Sequence, residues 1–453
     1  MKVVIIGGSH AGIACARRTR EEFPDAEVVI YEKQAEISFI SQSIPLYLMG
    51  KNNLRKSSYV TAEVLRSEGI IVETQTVVKK IDSNEKTMTY QKETSDEPEL
   101  TSYDKLVLAV GSYPLFPMFS GDFTNKLFVV KSMEDAKHMG SLPEKVKKLV
   151  VVGGGFIGVE LSRIFVKKGL DVTLLQASEH LLDKYLDTPA AENIENVLRA
   201  EGVKLELSTF PVDIREENNS ETGYKLVLYT YLSKKFEADA IIYAVGFRPN
   251  SFLLANQVTL GDMGAVEVDE YMRTSEPDIF AVGDCSTTYV NRIKHSLYLP
   301  HASDAIRQGE IAAINLVEAR QKINSSQGTY NMNIENRTLC VTGLTQKRAQ
   351  AEGFDCDMVY SHNSFLNSDE FTNAWLVYEK RTHKILGVQI EGTAPEVSGY
   401  VDTFSLAIEQ NLSIEDIEFT DFYFKHGYQN PEGLTKILAQ LVRKQNPKIE
   451  ENS

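Results

Sequence analysis

Two glycine turns of one design, about 146 residues apart, constrain this chain more than any other feature. The first lies in "KVVIIGGSHAGIACARRTREEFPDAEVVIYEK". Val3–Ile6 is a β-branched run suited to a strand buried on both faces. Gly7-Gly8-Ser9-His10-Ala11-Gly12 is the turn, a helix starts near Ile13, and Val28–Tyr31 is the next strand. Gly7 permits the tight bend, Gly12 lets helix and strand approach, and the helix start offers free N–H groups to an anion. Ser9 stands where a middle glycine is usual. Glu32 ends the second strand, twenty residues after Gly12, where a ribose hydroxyl needs an acceptor. The second turn lies in "KKLVVVGGGFIGVELSRIFVKKGLDVTLLQASE". Gly153, Gly155 and Gly158 satisfy the spacing fully between the strands Leu149–Val152 and Val172–Leu175. Two dinucleotide-binding units in one chain follow.

At the end of the second unit's second strand the acid is replaced by Gln176. An amide still hydrogen-bonds a ribose and does not repel a 2′-phosphate, yet no arginine lies in "QASEHLLDK" to bind one. NADH is favoured over NADPH. Glu179 is read as a charge in the first turn of a helix, with a ligand role as its alternative.

Three further segments place the units relative to one another. "YDKLVLAVGSYP" and "ADAIIYAVGFRPN" are buried strands ending in glycine turns, and "TSEPDIFAVGDCS" presents Asp284 after Gly283. An aspartate so placed approaches the ribityl and pyrophosphate region of FAD in flavoprotein folds. The order predicts nesting: an FAD-binding domain of residues 1–118 and 246–322, a nicotinamide-binding domain at 119–245, and an α+β domain at 323–453. A flavin and a nicotinamide in adjoining domains suit hydride transfer. "LPHASDAIRQGEIAAINL" predicts a helix whose first backbone donors, near Ala302 and Ser303, face the flavin. "QKINSSQGTYNMN" reads as a polar boundary before a tail with strands at Thr338–Val341, Trp375–Tyr378 and Ile385–Ile390. Tail helices are expected near Gln346–Glu352, Glu396–Glu409 and Pro431–Val442, and "KQNPKIEENS" is expected to fray. No repeat beyond the two turns is read.

The chain has 453 residues, enough for two to four domains. Its net charge of −15 argues against a general nucleic-acid or anionic-membrane binder. No apolar run approaches the roughly 20 residues of a bilayer span, and "MKVVIIGG" is too short before its glycines for a signal peptide, so a cytoplasmic location is expected. Cys15, Cys285, Cys340 and Cys356 have neither CxxC nor zinc spacing and are expected to be buried, reduced thiols.

These residues resemble the single-cysteine pyridine nucleotide-disulfide oxidoreductases, which include NADH oxidase, NADH peroxidase and coenzyme A disulfide reductase. The likeness covers essentially the whole chain and rests on "GGSHAG", "FISQSIPLYLMGK", "VTGLTQKRAQAEG" and "DFYFKHGYQNPEG". It implies FAD on Gly7, Gly12, Glu32, Val78, Gly111, Asp284 and Ala302, with Ser9, Ala11, Lys33, Ser41 and Ala109 as further cofactor contacts. It implies NAD on Gly155, Ile157, Gly158, Gln176 and Gly246, and makes Phe156 a ring that covers the flavin and swings aside for NADH. His10 assists oxygen or peroxide chemistry in this picture, and Tyr428 reaches the site from a second subunit of a homodimer.

One departure bears on the chemistry. The family's redox cysteine corresponds to Gln42 and its following glycine to Ser43. A thiolate attacks disulfides and forms a sulfenic acid with peroxide; an amide does neither, and the Ser41 and Ser43 hydroxyls lack that redox ladder. The expectation is an FAD-dependent NADH oxidoreductase passing electrons to oxygen or another small acceptor without a cysteine centre. The alternatives are a reductase for a protein electron carrier and a cofactor-binding protein that has lost the activity. Arg17, Arg18 and Lys51 are read as a solvated helix face, with phosphates of coenzyme A as the alternative.

Overall fold

The computed structural model describes residues 1–116, 119, 123, 126–217, 225–334, 336–364, 369–393, 397–422 and 432–447 (of residue 55, the backbone alone). Five parallel strands form the first sheet, in the order Ile279–Ala281, Lys105–Leu108, Lys2–Ile6, Glu27–Tyr31, Ile71–Glu73. Val3, Val4, Ile5 and Ile6 are at most 4% exposed, because the sheet is covered on both faces. Helices His10–Glu22 and Ala302–Ile314 lie together on one face. Their contact is close because Gly309 has no side chain; a Cβ there would sit 2.3 Å from the Ala11 carbonyl oxygen.

The second sheet repeats the plan with Lys204–Glu206, Asp171–Leu175, Lys148–Val152, Ala240–Tyr243 and Leu127–Phe128. The repeat extends beyond the two glycine turns, correcting the sequence reading. In each unit a three-stranded antiparallel meander precedes the returning parallel strand: Thr76–Asp82, Thr87–Lys92 and Glu99–Ser102 in the first, Pro211–Glu217, Lys225–Thr230 and Lys235–Ala238 in the second. These strands mix charged and apolar residues irregularly and carry no strong period. A short antiparallel pair, Ser112–Pro114 with Phe247–Pro249, joins the units where the chain passes between them.

The tail is a five-stranded antiparallel sheet, Tyr330–Ile334, Arg337–Gly343, Ile385–Gly392, Phe371–Glu379, Cys356–Ser364. Alternate residues face two cores. Cys340, Ala374 and Leu376 pack against helices Val397–Glu409 and Leu434–Gln445. Leu339, Val341 and Trp375 pack against the second dinucleotide unit through Leu161, Phe165 and Leu186. The Asp187 carboxylate crosses the same boundary, accepting from the Gln346 N–H at 2.8 Å and the Gln389 amide at 2.7 Å. Two tail expectations change. The supposed polar boundary ends in the strand Tyr330–Ile334, which buries Met332 and Ile334 between exposed asparagines, and the last helix runs from Leu434 to Gln445. Residues 448–453, expected to fray, and Tyr428 lie outside the described residues. No helix among the described residues is long and apolar enough to cross a membrane.

Candidate active site

Both glycine turns open onto one cleft of about 2230 Å³ between the two dinucleotide units and the tail. Gly7 (φ 115°) and Gly153 (φ 109°) take matching left-handed bends after their strands. Gly12 and Gly158 hold their helices against those bends: a Cβ would lie 1.9 Å from the Gly7 oxygen and 1.8 Å from the Gly153 oxygen. Beyond Gly155 and Gly111 the Cβ direction is open for 4 Å, so a phosphate chain has room against bare backbone. Glu32 accepts from the Gly8 N–H at 2.7 Å and the Gln34 N–H at 2.8 Å, which fixes its carboxylate at the cleft. These features fit two dinucleotides. Of the other residues expected to contact cofactor, Ser9, Ala11, Lys33, Ser41, Val78, Ala109, Gly155, Phe156, Ile157, Gln176, Gly246, Asp284 and Ala302 also line the cleft. Gly12 and Gly158 stand behind it and act by packing.

Gln42 sits exposed in the cleft wall, in the single turn Ser41–Ser43 that feeds helix Ile44–Leu48. The loop is pinned behind it: the Ser38 N–H donates to the Gly8 oxygen at 2.8 Å and the Ile40 N–H to the Ser57 oxygen at 2.7 Å. The buried Ser43 hydroxyl donates to the Ile40 oxygen at 2.6 Å, so it serves the turn.

His10 opens the first helix, stacked on Tyr59 with ring centres 5.6 Å apart. Its Nδ1 is buried without a described partner. Burial pushes the imidazole below its usual pKa, Asp284 opposes this, and Lys131 adds to it. A neutral ring is therefore favoured, suited to hydrogen bonding more than to proton donation as an imidazolium. Lys131, which sequence reading missed, reaches Ser112 Oγ at 2.8 Å and Asp284 at 3.1 Å, while the Ser112 hydroxyl donates to the same Asp284 oxygen at 2.8 Å. The Asp284 turn is anchored from helix Ala302–Ile314, where Gln308 Oε1 accepts from the Gly283 N–H at 2.6 Å.

Aromatic rings close the side of the cleft that the second glycine turn opens onto. Phe156 lies 4.6 Å from Tyr185 and 5.6 Å from Tyr330, and Tyr330 lies 4.7 Å from His301, ring centre to ring centre. Nothing local in the sequence marked Tyr185, Tyr330 or His301, because four separate segments bring these rings together. One helical turn after Phe156, Glu160 lines the same cleft, and burial pushes its carboxyl up to about 7 against the opposing pull of Arg163. A folded-state pKa above the unfolded value makes the carboxyl's contribution greatest at low pH. It falls as pH rises from about 4.5 to about 7, by at most about 3 kcal/mol. Glu160→Gln is expected to melt higher than the parent at pH 8 and level with it near pH 4.5; parallel melting curves across pH test this.

At the strand end expected to meet the second ribose, Gln176 is 9% exposed and both ends of its amide have partners. Oε1 accepts from the Gly154 N–H at 2.9 Å, and Nε2 donates to the His180 oxygen and to Asp183 Oδ1, both at 3.3 Å. Glu179 is exposed in a bend, outside the cleft lining, and opens no helix; the next helix is Thr188–Ala200. Its intervening residues turn back toward the strand end instead.

Of the coenzyme A candidates, Arg17 makes a bidentate pair with Glu68 and Arg18 pairs with Glu21 and Glu22, while Lys51 is exposed. All four cysteines are free and buried, none lines the cleft, and burial pushes the Cys15 and Cys285 thiols up to about 12. Neither is a nucleophile at neutral pH. No metal-binding group of side chains occurs among the described residues.

Comparison with known proteins agrees with this geometry. Residues 1–309 match the family model for pyridine nucleotide-disulphide oxidoreductase, and residues 336–426 match that family's dimerisation domain. The chain is 35% identical to an NADH oxidase of Enterococcus faecalis over 447 residues, 98% of this chain and 99% of that one. Among solved structures, the water-forming NADH oxidase of Lactobacillus brevis bound to NADH superposes with TM-score 0.93 at 33% identity, covering 98% of both chains. An NAD-dependent persulfide reductase from A. fulgidus gives TM-score 0.90 at 27% identity, over 98% of this chain and 83% of that one. With its paired dinucleotide units and tail matched from end to end, this chain belongs to the pyridine nucleotide-disulphide oxidoreductases.

Proposed function

We propose that this protein is an FAD-dependent NADH oxidoreductase that delivers electrons to oxygen and releases hydrogen peroxide. Bound FAD would supply two-electron chemistry, taking hydride from NADH and returning electrons to a small acceptor. The first turn with Glu32, the Lys131–Ser112–Asp284 set and the start of helix Ala302–Ile314 would hold the flavin nucleotide. The turn Gly153–Gly158 would hold NADH, with Phe156 and its aromatic neighbours excluding water from the flavin until the nicotinamide enters. His10, its Nδ1 buried and unpaired, would hydrogen-bond the reduced oxygen species. The balance is NADH, a proton and oxygen giving NAD⁺ and hydrogen peroxide.

One observation carries this reading: the cleft served by both turns is lined by Gln42 and by no cysteine among the described residues. Gln42 is taken to stand in the family's redox-cysteine position, so peroxide has no thiolate to reduce it further. We place the protein in the cytoplasm as a homodimer joined through its C-terminal domain, with Tyr428 offered to the second subunit, and keep the domain limits 1–118 with 246–322, 119–245 and 323–453. Stepwise NADH addition to the FAD-loaded protein under nitrogen is expected to bleach the flavin at one NADH per FAD, without a long-wavelength thiolate band. In air, one peroxide per NADH is expected. Two NADH per FAD, or turnover to water without peroxide, overturns the proposal.

A further inference from the structure

In the first unit the acid at the strand end does two tasks. Glu32 accepts from the Gly8 N–H at 2.7 Å, and its carboxylate also faces the cleft. In the second unit those tasks are divided. Gln176 keeps the structural one, accepting from the Gly154 N–H at 2.9 Å. Its orientation is fixed, because the other end of the amide meets two acceptors, the His180 carbonyl and Asp183 Oδ1, and only N–H groups suit both. Both amide hydrogens are thus committed, and none is left for a ribose. The bonds bring the Asp183 carboxylate to the strand end, where the Ser178 hydroxyl donates to Oδ2 at 2.8 Å. Asp183 lines the cleft beside Gln176 and Ser178.

We infer that Asp183, held by Gln176 and Ser178, is the residue that selects NADH over NADPH. Each carboxylate oxygen keeps a free lone pair, so together they accept from the adenosine ribose hydroxyls. The same charge repels a 2′-phosphate. Asp183 comes seven positions after the strand-end glutamine, carried back by the turn 181–185, so the usual spacing from the glycine turn does not reveal it. Lys184 also lines the cleft and is exposed; it is the cation that would favour the phosphate if the carboxylate were neutralised.

This inference rests on the proposed use of NADH, and binding measurements separate the two. NAD⁺ and NADP⁺ are titrated calorimetrically into the FAD-loaded protein, and kcat/KM is measured with NADH and NADPH. Asp183→Asn is expected to lower the NAD⁺/NADP⁺ affinity ratio about tenfold or more, with FAD content unchanged. Gln176→Glu sets a second carboxylate against Asp183 and the His180 carbonyl, and weakens NAD⁺ binding. The double exchange Gln176→Glu with Asp183→Asn restores the pairing between the two side chains and returns the ratio to within about threefold of the parent. A ratio unchanged in Asp183→Asn, or moved further by Lys184→Ala than by Asp183→Asn, overturns the inference. Parent protein that ranks NAD⁺ over NADP⁺ by binding, yet is not reduced by NADH, defeats the proposed function and leaves the inference standing.

Discussion

Gly158→Ala is expected to leave FAD bound while cutting the rate of flavin reduction by NADH about 100-fold or more. The added Cβ would lie 1.8 Å from the Gly153 oxygen and 3.0 Å from its carbonyl carbon. Both atoms belong to the bend itself, so no flexible side chain can give way. The start of helix Phe156–Lys167 must move, and with it the N–H groups proposed to meet the dinucleotide and the Phe156 ring proposed to cover the flavin. A displacement near 1 Å at such a site costs about two orders of magnitude in rate. The partner substitution divides the two units. Gly12→Ala places its Cβ 1.9 Å from the Gly7 oxygen and is expected to yield protein without flavin. Flavin content by absorbance and rapid-mixing reduction rates read both effects, and parental kinetics in Gly158→Ala would refute the assignment of the second turn.

Gln42→Cys is expected to change the chemistry qualitatively. The position is exposed to the cleft, at a turn whose backbone is pinned from behind by Ser38 and Ile40. A thiolate beside oxidised flavin gives a broad long-wavelength absorbance that the parent is expected to lack. Anaerobic NADH uptake is expected to rise toward two per FAD once the cysteine is oxidised, and peroxide release in air to fall. If the variant keeps its flavin but shows neither the band nor the added uptake, Gln42 does not stand over the flavin and the loop assignment fails. Cys15 and Cys285 cannot produce the band themselves, since both are fully buried with thiols pushed up to about 12.

The sequence by itself determined the two dinucleotide units and the residues at their turns. Those features are written locally: a β-branched strand, glycines where a bend admits no Cβ, and a helix directly after. Short-range sterics decide them, so they read the same in isolation as in the fold. The antiparallel meanders and the strand Tyr330–Ile334 went unread because strands that mix polar and apolar residues depend on partners far along the chain. Only the tertiary structure decided the rest of the site. Lys131 meets Asp284 across 153 positions, and Phe156, Tyr185, Tyr330 and His301 converge from four segments. In the sequence Gln176 is the polar group visible at the second strand end. Its hydrogens are taken by His180 and Asp183, so the free charge at that strand end belongs to Asp183. Identity and spacing specify which groups a chain carries; the finite number of donors and acceptors on each group, shared out by folding, decides which of them still face the cleft.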